Sequence, residues 1–140
     1  MLFDMMIGGV SEGDEDPRTT AGRELGEELG LVAGENLSAE RLFSCGVATG
    51  YNRCIVALYE YECGGGEEVR HQEEEVCWGG WVDGEIVVRG AENEEDEGVV
   101  KAFNGMLGEV GAVERVEWVP DGLRVWEKFR AYEKNHGRRK

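Results

Sequence analysis

Three glutamates, Glu24, Glu27 and Glu28, stand at i, i+3 and i+4 in a segment that reads as one helix. At about 100° per residue, Glu27 falls about 60° to one side of Glu24 and Glu28 about 40° to the other, so the three carboxylates share one ledge. Like charges at this spacing repel and disfavour an isolated helix. Two arrangements tolerate them: a fully solvated acidic face, or a hard cation held by converging oxygens.

The helix that must carry this ledge has legible ends. Asp16 suits the N-cap, Pro17 the first helical position and Gly30 a C-cap with positive φ. Ala21, Leu25 and Leu29 recur every four residues as the expected buried stripe. A short apolar run over residues 3–7 and a polar loop over residues 8–16 lead into it.

Gly9, five residues, Glu15, seven residues and then Arg23-Glu24-Leu25-Gly26-Glu27-Glu28-Leu29-Gly30-Leu31 follow in order. This run resembles the Nudix box, G-x5-E-x7-R-E-U-x-E-E-x-G-U with U aliphatic, and meets all nine of its defined positions. The resemblance implies an α/β (α+β) chain folded as an α/β/α sandwich with a mixed sheet. It implies hydrolysis of a nucleoside diphosphate linked to another moiety, at a loop–helix–loop site. On it, Glu24, Glu27 and Glu28 would hold Mg²⁺ or Mn²⁺, with a carbonyl of Gly8 or Gly9 as a further ligand. Glu15 and Arg23 would pair to hold the loop against the helix, a role as much structural as catalytic. Gly8 and Gly9 would let backbone approach metal and phosphates, and Gly30 would close the helix. Glu27 is the first choice for the base that deprotonates the attacking water, and Glu75 the second.

Three further stretches are similar to the Nudix hydrolases related to isopentenyl-diphosphate isomerase. They are Phe3-Asp4-Met5-Met6-Ile7-Gly8-Gly9, Arg70-His71-Gln72-Glu73-Glu74-Glu75-Val76, and Trp118-Val119-Pro120-Asp121-Gly122-Leu123. The isomerases use a catalytic cysteine and a metal-binding histidine in the lead-in. Gly8 and Val10 hold those places here, which favours a hydrolase over an isomerase-like enzyme. Glu73 and Glu75 suit an additional ligand or base, with solvated loop acids as the alternative. His71 suits a diphosphate contact or a plain exposed loop position.

Other elements must frame the site. Strands are expected over residues 41–49 and 53–63, joined by the Gly50-Tyr51-Asn52 turn, and over residues 76–82, stopping at the turn dipeptide Asp83-Gly84. Asn93 is the expected N-cap of a helix with Val99, Phe103, Met106 and Leu107 on one face. A last helix opens at Pro120-Asp121-Gly122, capped by Asp121, with Leu123, Trp126, Phe129 and Tyr132 as its apolar face and a frayed basic tail at 138–140. Tyr51, Trp78 and Trp81 are candidates for base or sugar recognition. Cys45, Cys54, Cys63 and Cys77 form no CxxC pair and read as core thiols.

At 140 residues the chain suits a single domain over 1–140. Its 30 acids against 15 bases give a formal charge of −15, which argues against nucleic-acid or anionic-membrane partners and for an anionic diphosphate small molecule neutralised by metal. The acids are concentrated: ten with two bases in residues 1–40, fourteen with two bases in residues 60–97, but four with eight bases in residues 115–140. The chain shows neither an apolar span nor the charged opening of a signal peptide, and reads as soluble and cytoplasmic or otherwise intracellular. Only seven residues precede Gly8, where members of the resembled family carry one or two strands. The expectation is an N-terminally shortened domain with an open sheet edge that invites a homodimer. A non-catalytic Nudix-fold module and an inert truncated product are the competing readings.

Overall fold

Asp16 opens the first helix as its composition dictates. In a computed structural model that describes residues 1–34, 36–38, 40–50, 53–64, 69–70 and 78–136, its carboxylate accepts from the Arg18 backbone N–H at 2.8 Å. Helix α1 then runs Pro17–Leu29 and ends at Gly30, whose φ of 67° is the left-handed cap. The stripe is narrower than expected: Leu25 and Thr20 are buried, while Ala21 and Leu29 are half-buried.

The chain is α+β, with β1 (Leu2–Phe3) before α1 and β2 (Phe43–Ala48), β3 (Arg53–Leu58), α2 (Gly84–Glu92), α3 (Glu97–Leu107), β4 (Glu117–Trp118) and α4 (Pro120–His136) after it. A single 3₁₀ turn, Gly108–Val110, follows α3. Among the described residues β1 pairs with β4 in parallel and β2 with β3 antiparallel, as two separate two-stranded sheets rather than one mixed sheet. The expected 41–49 and 53–63 strands are thus present in shortened form, and Tyr51 and Asn52 of their turn lie outside the described residues.

The core gathers Phe3, Val99, Phe103, Leu107, Val116 and Trp118, with Trp78, Val82 and Ile86 packed at its margin. Its centre is aromatic: the Phe3 and Phe103 rings meet edge-on at 4.7 Å and those of Phe103 and Trp118 at 5.9 Å, geometries that suit the ring quadrupoles. Phe3 therefore does two jobs, joining the parallel β1–β4 pair and plugging the core. A second apolar contact joins the hairpin to α4, where Phe43 meets Phe129 at 5.9 Å and Tyr132 at 5.1 Å.

Five expectations are corrected. Residues 78–82 of the proposed 76–82 strand are not in a strand, and 76 and 77 lie outside the described residues. Asp83 is no turn residue but the N-cap of α2, accepting from Glu85 N–H at 2.9 Å. The N-cap of α3 is Asp96 and not Asn93, because Asp96 accepts both from Val99 N–H at 3.0 Å and from Arg89 of α2 at 2.7 Å; those bonds hold its carboxyl below the usual carboxylate range. In α4, Val119 O accepts from Leu123 N–H, so Asp121 sits inside the first turn, where its carboxylate takes a bond from the Thr49 hydroxyl. Finally, the cysteines are not core thiols among the described residues: Cys54 is exposed and Cys45 and Cys63 are half-buried. Only one face of a two-stranded hairpin is covered here, so strand residues such as Cys54 near its end meet solvent. Burial still pushes the Cys45 thiol up, against the lowering influence of nearby Lys128.

Candidate functional site

The loop before α1 and the solvent side of α1 meet at Arg23. Its guanidinium reaches Glu15 Oε1 at 3.1 Å, Glu24 Oε1 at 2.9 Å and Glu27 Oε2 at 3.8 Å, and donates to the Val10 carbonyl at 3.5 Å. One cation thus gathers three carboxylates, two from its own helix and one from the loop. Glu15 is held further by the Thr20 hydroxyl, which donates to Oε1 at 2.6 Å and lies 2.6 Å from the Ser11 hydroxyl. The Arg23 bond first, then that from Thr20, pulls the Glu15 carboxyl down from 4.5 to about 2. Reciprocally, Glu15 raises the already high Arg23 value.

Gly9 completes the contact. A Cβ built there would lie 2.2 Å from Glu24 Oε1 and 2.4 Å from its carboxyl carbon, so only glycine lets the loop press this closely on the ledge. Gly8 differs: a Cβ there would meet nothing within 4 Å, and the close approach is confined to Gly9. At the far end of α1, Gly30 N–H donates to the Gly26 carbonyl at 3.0 Å and Leu31 N–H to that of Leu25 at 3.4 Å. Arg70 N–H supplies a partner for the Leu29 carbonyl at 2.8 Å, docking residues 69–70 on the helix end.

Gly9, Glu15, Arg23 and Glu24 are therefore brought together, with Glu27 at the margin, its side chain 56 % exposed. Glu28 lies half-buried on the same helix. Glu73, Glu74, Glu75 and His71 lie outside the described residues, as does Tyr51. Trp78 packs on Phe3 and Phe103 and so belongs to the core, whereas Trp81 is 73 % exposed. Sequence reasoning missed Thr20 and Ser11. Thr20 had a signal, since it precedes Arg23 by three residues and both reach the same side of the helix.

The donors suit a hard divalent cation by chemistry: all are carboxylate oxygens, and Glu15, Glu24 and Glu27 against Arg23 leave a local charge of −2 before Glu28 is added. Among the described residues, however, no three His, Cys, Asp or Glu side chains converge as a metal-holding group, because Glu24 and Glu27 both turn to Arg23. No family model, curated protein or solved structure matches the chain. No helix among the described residues is long and apolar enough to cross a membrane.

Proposed function

We propose that the chain is a Nudix-type hydrolase, folded as that family's sandwich, which cleaves a nucleoside diphosphate linked to another moiety. The observation that carries the reading is the Gly9–Glu24–Arg23–Glu15 contact, which joins four box positions from two separate elements around one guanidinium. Chance satisfaction of a sequence pattern does not require such convergence. Glu24, Glu27 and Glu28 would hold Mg²⁺ or Mn²⁺, which supplies Lewis-acid polarisation of a phosphoryl oxygen and offsets the anionic substrate.

The chain's own residues then divide the work. Glu27 is exposed and only loosely paired to Arg23, which suits it to take the proton from an attacking water, a contribution of roughly 10²–10⁴-fold. Arg23 and Glu15 are positioning residues that fix the loop on the ledge, and Gly9 sets how closely it approaches.

The test incubates the purified chain with a panel of nucleoside diphosphate derivatives and isopentenyl diphosphate in Mg²⁺. Monophosphate release is expected, falling by about 10²-fold or more in Glu27→Gln while circular dichroism is unchanged. Isomer in place of hydrolysis products would assign the isomerase-like reaction instead. No product from any compound would leave a binding module.

A further inference from the structure

The acid excess lapses over residues 41–59, with two bases and no acid, and over residues 115–140, and residues of both stretches line one groove. Between the β2–β3 hairpin and the first turns of α4 lies an open depression of about 640 Å³, lined among others by Gly46, Val47, Cys54, Arg53, Arg124 and Lys128. That volume lies within the range of small-ligand sites. Arg124 and Lys128 stand at i and i+4 and so share one face of α4, and Arg53 opens β3 opposite Ala48.

All three cations are exposed, and among the described residues none has a carboxylate within ion-pair distance. Four other cations are matched by acids, Arg23 by Glu15, Glu24 and Glu27, Arg89 by Asp96, Arg115 by Glu117, and Arg130 by Glu133, whereas these three line one groove without such a partner. Asp121, in the first turn of α4, is engaged by the Thr49 hydroxyl. Lys128 donates to the Gly46 carbonyl at 2.6 Å, which pins its ammonium at the groove and leaves two N–H donors for another partner.

We propose that this groove is an anion site that takes a small phosphorylated molecule, with Arg53, Arg124 and Lys128 as its ligands. The planar guanidinium forks of the two arginines suit phosphate oxygens in pairs, and the fixed ammonium adds a point charge. The size of the ligand follows from the electrostatics. At physiological salt charges beyond about 8 Å are largely screened, so a small anion feels the three nearby cations. A nucleic-acid chain extending past the groove would instead run along the acidic surface of a −15 protein. None of the residues lining this groove belongs to the carboxylate ledge of α1, and the proposal does not depend on the hydrolase reading.

Calorimetric titration of the whole chain with inorganic pyrophosphate in EDTA tests it without metal. Saturable binding is expected, weaker as salt is added and roughly tenfold or more weaker in Arg53→Gln and in Arg124→Gln. Both arginines are on the surface, so circular dichroism should be unchanged in these variants. Glu27→Gln, which should lower hydrolysis by about 10²-fold or more, retains this binding, so the two readings fail separately. An independent readout uses Cys54 at the groove wall: pyrophosphate should slow its alkylation, followed by peptide mass mapping of the wild-type chain. Absence of saturable binding, equal binding in the arginine variants, or loss of binding in Glu27→Gln would overturn the proposal. Tighter binding of a single-stranded oligonucleotide than of pyrophosphate would overturn the ligand class.

Discussion

Gly9→Ala isolates the contact between the loop and the carboxylate ledge. Gly9 is not among the glycines with positive φ, so alanine brings no backbone strain and the added methyl is the whole perturbation. It would stand 2.2 Å from Glu24 Oε1, about 1 Å inside the ordinary C···O contact of roughly 3.3 Å. The obstacle is the end of a flexible side chain, so the Glu24 carboxylate yields rather than the backbone, and its 2.9 Å pairing with Arg23 stretches. Such a partly exposed pair adds little to stability, so the melting temperature falls by no more than roughly 3–4 °C. On the proposed hydrolase reading, in which Glu24 would hold the metal, displacing its carboxylate by about 1 Å costs about 10²-fold in rate, or about 2.7 kcal/mol of barrier. The assay pairs Mg²⁺-dependent monophosphate release, on whichever panel compound the wild type cleaves, with a thermal melt. A kcat/KM within about twofold of wild type would refute the argument that Gly9 sets the position of Glu24. So would a melting temperature lowered by roughly 10 °C or more, since the methyl would then have moved backbone and not a side chain.

Three further outcomes test the frame around the site. Gly30→Ala forces a left-handed φ of 67° on a residue with a Cβ, and should destabilise by about 1–2 kcal/mol in urea unfolding; a neutral result would mean that α1 ends differently. Phe103→Ala removes a ring only 1 % exposed at the centre of the aromatic core, and should cost about 3–5 kcal/mol with the melting temperature falling by roughly 10–20 °C. Glu15 titrates lower in the folded chain, at about 2 against an ordinary 4.5. Its contribution is therefore fully present above pH 4.5 and lost as pH falls toward about 2, and Glu15→Gln should flatten that limb of a stability–pH curve. Identical acid limbs in the two proteins would sink this reading.

Local chemistry was legible where one residue type answers one geometric need. Asp16, Pro17 and Gly30 mark the ends of α1 because cap positions are decided within a few residues of chain. The face of α3 was equally plain, since Val99, Phe103 and Leu107 are all buried as their spacing predicts. Helix α2 was missed because Ile86, Val87 and Val88 are β-branched and follow Asp83-Gly84, which reads as a turn; only the bond from Glu85 N–H to Asp83 makes that pair a helix start. The shift of the α3 cap from Asn93 to Asp96 has the same origin, because Arg89 on another helix selects the carboxylate it can reach. At the site, the pattern placed Glu24 beside Glu27 and Glu28 on one ledge. It could not show that Arg23 turns two of these carboxylates toward itself, since side-chain direction depends on what else competes for the charge.

That competition explains how a segment with ten acids and two bases over residues 1–40 organises at all. Both bases are arginines, and each bridges several groups where a lysine would offer one compact charge. Arg18 donates from Nε to the Ser38 carbonyl at 3.0 Å and from Nη2 to those of Gly34 and Leu37 at 3.1 and 3.0 Å, tying the chain after α1 back to its first turn. None of those partners is a side chain, so no charge pattern could reveal them. Arg23 does the reverse, leaving backbone mostly alone and collecting carboxylates from loop and helix. Removing its charge would leave Glu15, Glu24 and Glu27 to repel one another around the Gly9 contact, whereas removing that of Arg18 would free the downstream loop and spare the ledge. Arg23→Gln should therefore lose ledge function before stability, and Arg18→Gln stability before ledge function. Comparing hydrolysis with urea midpoints for the two variants measures that separation, and the same order of loss in both would show that loop and ledge are a single unit.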